Sequence, residues 1–94
     1  MSRIKKKHKN ITVIGSVQGV GFRFSTKSMA NSLGIKGFVK NLYSGDVYIE
    51  AEGNEVQLQH FIEWCHKGSS YSRIYDVKIE EGELKHFTHF EITF

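Results

Sequence analysis

The spacing of apolar residues changes several times along the chain, and each change marks an element. Ile11–Ile14 is a mostly β-branched, apolar run and predicts a first strand. Glycines 15, 19 and 21 break it. From Phe22 the period lengthens. Phe22, Thr26, Met29, Ala30 and Leu33 fall on one face of a helix, and Gly34 stands where a helix C′ glycine belongs. Ile35–Tyr43 predicts a second strand, and Ser44-Gly45 a tight hairpin turn. Val47, Ile49 and Ala51 alternate with Tyr48, Glu50 and Glu52, which predicts a third strand with one wet face. Asn54 reads as an N-cap with Gln57 completing a capping box, and Leu58, Phe61, Ile62 and Cys65 mark the buried stripe of a second helix that Gly68 ends. Tyr75, Val77 and Ile79 alternate as a fourth strand, and Phe90, Ile92 and Phe94 as a short last one.

The order is β-α-β-β-α-β with one further strand. That is the split βαβ, ferredoxin-like arrangement of the α+β class: an antiparallel sheet with two helices on one face. A chain of 94 residues is the size of one domain, residues 1–94, with one core and room for one pocket. The fold carries little information about function, because many activities use it.

Charge changes this picture at one end only. The formal net charge is +3, but Arg3, Lys5, Lys6, Lys7 and Lys9 supply five of thirteen basic residues, and no acidic residue precedes Asp46. Without residues 1–9 the chain has eight basic and ten acidic residues, a net of −2. Residues 1–8 are therefore expected to form a flexible basic arm on a slightly acidic body. Such an arm can touch nucleic acid, but a solvated terminus is the simpler reading, so no nucleic-acid partner is expected. Cys65 is the single cysteine and allows no intrachain disulfide. No apolar run has signal-peptide or membrane length, so a cytoplasmic protein without membrane attachment is the expectation.

The candidate chemistry lies between the first strand and the first helix. Three glycines within seven residues let the backbone of Gly15–Gly21 curl and turn its N–H groups to one side. The segment opens into a helix N-terminus, with its orphan donors and partial positive charge, which makes an anion site. No Gly-Lys-Ser/Thr follows, so a nucleotide P-loop is not supported. Arg23 lies in the first helical turn, where a cation opposes the helix dipole at about 0.3–1 kcal/mol. Local stability would favour Asp or Glu there. Arg offers a planar fork for phosphate or carboxylate instead; a surface arginine over a plain glycine turn is the competing reading. Asn41 falls at the end of the second strand, where an Asn is most often a turn residue. The spacing alone does not bring it to the glycine loop.

Gly15-Ser16-Val17-Gln18-Gly19-Val20-Gly21-Phe22-Arg23 resembles the first signature of the acylphosphatases. Gly37-Phe38-Val39-Lys40-Asn41, followed by Gly45 and Val47, is similar to the second. Gly68-Ser69 and Ser72-Arg73-Ile74 are similar to a later segment, and the resemblance runs from about Ile11 to Phe94. Two departures stand out. Phe38 replaces a common Trp, and Ser70 a common proline; both bear on stability more than on activity. The resemblance implies an enzyme that hydrolyses the carboxyl–phosphate bond of a small-molecule acyl phosphate. It implies that Arg23 and the amides of Val17, Gln18, Gly19, Val20, Gly21 and Phe22 hold the phosphate, and that Asn41 orients the attacking water. A monomer without metal or cofactor is expected.

The chemistry of the two motifs agrees with such a substrate. A carboxylate leaving group, with a conjugate-acid pKa of about 4–5, departs unprotonated at neutral pH. An alkyl phosphate would need a general acid or a metal, and the motifs contain no His, Asp, Glu or Cys. His60 and His66 are six residues apart, and His86 and His89 lack companion ligands at a recognised spacing, so zinc is not expected. Cys65 reads as a core thiol, and Ser25, Thr26 and Ser28 have no paired base for nucleophilic catalysis. A non-catalytic module of the same fold, binding an anion or a protein, is the alternative.

Overall fold

The structure, a computed structural model, describes residues 5–19 and 21–94. The chain runs β1 (Lys7–Ser16), α1 (Phe22–Leu33), β2 (Lys36–Asn41), β3 (Val47–Gly53), α2 (Glu55–Lys67), β4 (Arg73–Gly82) and β5 (Phe90–Ile92). The strands form one sheet in the order β4-β1-β3-β2-β5. The pairings β4–β1, β1–β3 and β3–β2 are antiparallel, and β5 joins β2 in parallel, so the sheet is mixed rather than wholly antiparallel.

One face of the sheet carries both helices. Ile11, Val13, Val39, Val47, Ile49 and Ala51 project from it and pack with Phe22, Ala30, Leu58, Phe61 and Cys65 in a single core. The helix ends follow the expected signals. Gly34 closes α1 in the left-handed region, its N–H donating to Ala30 O and Asn31 O. Asn54 Oδ1 accepts from Gln57 N at 2.8 Å while Gln57 Oε1 accepts from Asn54 N at 2.8 Å, a complete capping box for α2.

The other face is not the wet face that alternation predicts. Glu50 and Glu52 are buried, because residues 83–89 cross over them. Glu52 accepts from the backbone N–H groups of Lys85 and Phe87 at 2.6 and 3.0 Å. His8 Nδ1 lies 2.7 Å from Glu52 Oε2, and Lys85 Nζ donates to Glu50 Oε1 at 2.9 Å. Phe38 packs on this face, edge-on to Phe87 and tilted against Tyr48, not in the main core.

Strand bounds also shift. β1 begins at Lys7, so Lys7 and His8 belong to the sheet and not to a free arm. Lys9 pairs with Glu81 at 2.7 Å. A run of lysines carries no alternation of its own, and the acids that receive it lie far along the chain. Arg3 and the rest of residues 1–4 lie outside the described residues. Leu42 and Tyr43 leave the second strand, and residues 42–46 form a longer connection than a two-residue turn, closed by Leu42 N donating to Asp46 O at 2.8 Å. In β4 a bulge opposite Ile14/Gly15 skips Tyr75, turning it to solvent and putting Ile74 on the core side. Phe94 lies beyond β5 and is fully exposed.

Candidate active site

Strand order brings the two sequence motifs together. β1 and β2 flank β3, and both run antiparallel to it, so they point the same way. Val13 of β1 and Asn41 of β2 both pair with Val47, the first residue of β3. The segment after β1 and the end of β2 therefore meet at one edge of the sheet, two interstrand spacings or about 10 Å apart. This edge holds a cleft of about 190 Å³ lined by Val17, Gln18, Gly19, Gly21, Phe22, Arg23, Phe24 and Asn41.

The loop is pinned at both ends. Val17 and Phe22 are buried, and Phe22 stacks on Trp64 at 5.3 Å between ring centroids. Their side chains belong to the core, so what they offer the cleft is main chain. Gly19 and Gly21 have φ of 77° and 73°, which other residues adopt at a conformational cost. A Cβ at either would meet nothing within 4 Å, so backbone conformation and not crowding selects glycine there. Gly21 is the N-cap of α1, no side chain caps this end, and the first turn has no acidic residue. The N-terminal N–H groups of the helix are thus left for a ligand. Val20 lies outside the described residues.

Arg23 is half-buried beside these donors. Its Nη1 makes one long contact, 3.4 Å, donating to Thr93 O, and its guanidinium carbon lies 4.9 Å from the ring centre of Phe94. The chain beyond β5 so supports the guanidinium from outside. Among the described residues the other N–H groups of the fork have no partner. Asn41 ends β2, half-buried, and its Oδ1 is buried with no hydrogen-bond partner among the described residues. A buried orphan acceptor is worth about 1–3 kcal/mol of lost solvation. Asn41 also lines the cleft, and a cleft occupant that reaches this oxygen recovers that cost.

The Gln18 side chain turns away from the helix N-terminus and bonds elsewhere. Its Nε2 donates to Leu42 O at 2.7 Å and Asp46 O at 2.9 Å, across to the connection after Asn41. Phe24, Thr93 and Phe94 are site residues that the sequence reading misses. Phe24 is a large aromatic off the apolar stripe of α1 and is 75% exposed, a signal that could have marked it. Thr93 and Phe94 arrive only through the parallel pairing of β5 with β2.

The remaining candidates stay outside the cleft. Cys65 is fully buried, and burial pushes its thiol up to about 12. Among the described residues, no three His, Cys, Asp or Glu side chains come close enough to hold a metal ion. No helix among them is long and apolar enough to cross a membrane.

Known proteins resemble this chain in both sequence and shape. The acylphosphatase family model matches residues 9–92. An acylphosphatase of Archaeoglobus fulgidus is 42% identical over 84 residues, covering 89% of this chain and 94% of that protein. The crystal structure of acylphosphatase from Bacillus subtilis superposes with a TM-score of 0.91 at 38% identity, covering 94% of this chain and 99% of that one. Full-length HypF, in a phosphate- and nucleotide-bound form, matches with a TM-score of 0.85 at 31% identity, over 98% of this chain but only 12% of that one. With a five-stranded sheet of this order and a family match over nearly its whole length, the chain belongs to the acylphosphatase family.

Proposed function

We propose that this protein hydrolyses acyl phosphates to a carboxylate and inorganic phosphate, with Arg23 and Asn41 as the catalytic residues. The observation that carries this is the meeting, in one small cleft, of an uncapped helix N-terminus, the Arg23 fork and the unpartnered Asn41 Oδ1.

The phosphate sits against the main chain of the 17–22 loop, with Arg23 gripping two of its oxygens. The Asn41 side-chain amide orients a water so that the water's lone pair points at phosphorus. Attack occurs in line with the bond to the carboxylate, which leaves with the bonding pair. Charge grows on the equatorial oxygens, where fixed N–H donors stabilise it without reorganisation. The departing carboxylate needs no proton at neutral pH, which fits a cleft whose described lining residues include no Asp, Glu, His or Cys. The same chemistry makes the reaction independent of metal ions.

Phosphate release from acetyl phosphate in the presence of a chelator tests this reading. The wild type turns over. Arg23→Ala and Asn41→Ala each lose about 10²–10³-fold in kcat, the usual effect of removing one preorganised donor or water-positioning group, while circular dichroism stays unchanged. Full activity in either variant overturns the assigned roles.

A further inference from the structure

The two halves of the cleft come from chain segments that share no direct strand pairing. The loop follows β1, Asn41 ends β2, and β3 lies between them. Their separation is not fixed by the sheet alone, because both segments extend past the last paired residues Val13 and Asn41 on β3. The Gln18 side chain spans the gap. Gln18 Nε2 has two N–H groups, and the carbonyls of Leu42 and Asp46 take both, at 2.7 and 2.9 Å. Leu42 is the residue next to Asn41. Asp46 O also accepts from Leu42 N at 2.8 Å, and Leu42 O from Gly45 N at 3.1 Å. Gln18 thus ties the phosphate loop to the carbonyls that close the β2–β3 connection.

From this geometry we infer that Gln18 is a positioning residue whose side-chain amide sets the distance and angle between the phosphate cradle and Asn41. With both amide N–H groups spent on main-chain carbonyls, the side chain has no donor left for phosphate. It acts on the reaction through Asn41. This inference rests on the acyl phosphate reading of the cleft. Removing the tether leaves the phosphate site intact and loosens the water, so the step that suffers is attack, not binding. Misplacement by about 1 Å in such a geometry costs roughly 10²-fold.

Gln18→Met keeps the length and bulk of the side chain and removes both donors. With acetyl phosphate, it is expected to lower kcat by roughly 10–100-fold. KM and the inhibition constant of inorganic phosphate stay within about twofold of wild type. Gln18→Asn keeps the donors on a stem too short to reach both carbonyls, and it too is expected to lower kcat. It stands in as the test should Gln18→Met fail to fold by thermal melting. An unchanged kcat in a folded variant overturns the proposal. So does a rise in KM and in the phosphate inhibition constant at constant kcat, which would make Gln18 a direct substrate ligand. A wild type that does not hydrolyse acetyl phosphate overturns the acyl phosphate reading and this inference with it. An active wild type with an indifferent Gln18 overturns the inference alone.

Discussion

Single residues in this protein are chosen for backbone shape as much as for side-chain chemistry. Gly21 caps α1 at φ 73°, with open space where a Cβ would go. Gly21→Ala is therefore expected to destabilise by about 1–2 kcal/mol from left-handed strain alone. For a chain of this length that lowers Tm by roughly 4–8 °C per kcal/mol. An unchanged melting curve would show that the turn is not held in this conformation. Gly15 is the opposite case, since its Cβ would fall 1.9 Å from Arg73 O, where β4 presses against β1. Cys65 shows how burial silences a reactive group. Its thiol, pushed up to about 12 by burial, should not react with a thiol reagent at pH 8 in the folded protein. The denatured chain should show its one thiol. Rapid labelling of the native state would contradict the packing of α2 on the sheet.

At the scale of elements, the segment crossing the second sheet face matters most after the cleft. It is held by buried acids. Burial pushes the Glu52 carboxyl up, but the Lys85 N–H, His8 and the Phe87 N–H outweigh it, and the carboxyl ends below its ordinary 4.5. Burial opposes ionisation of Glu50 as well, and Lys85 and Tyr48 overcome it. Tyr48, half-buried and donating to Glu50, is raised to about 12. The sign follows from the lowered carboxyls. Their contribution to stability is fully present above about pH 4.5, and it is lost as pH falls through the lower folded-state values. Chemical unfolding followed from pH 7 to pH 3 should show that loss. Glu52→Gln should be less stable by about 1–3 kcal/mol at pH 7 and should lose less on acidification. An acid slope equal to wild type would mean that Glu52 does not anchor the crossing segment. No local pattern reveals this anchor. Glu52 reads as a wet-face residue because Lys85 and Phe87, which cover it, lie more than thirty positions away.

For the whole molecule, what was legible followed from how local each signal is. The two helices carried their own caps and stripes, and Gly34, Asn54, Gln57 and Gly68 ended them where expected. The 15–23 loop was legible as a glycine turn opening into a helix because its glycines and Arg23 are contiguous. Its meeting with Asn41 was not, because strand order and the shared partner Val47 produce it. Lys7 and His8 were hidden in a run of charge, Tyr75 was turned out by a bulge, and Thr93 and Phe94 reached Arg23 through a parallel strand. The resulting cleft makes one chemical claim above the others, that water attacks phosphorus and not the carbonyl carbon. Hydrolysis of acetyl phosphate by the wild type in water enriched in heavy oxygen, with a chelator present, tests it most directly. The label is expected in inorganic phosphate, with none in acetate. Label in acetate, or no turnover above the uncatalysed rate, would contradict that claim.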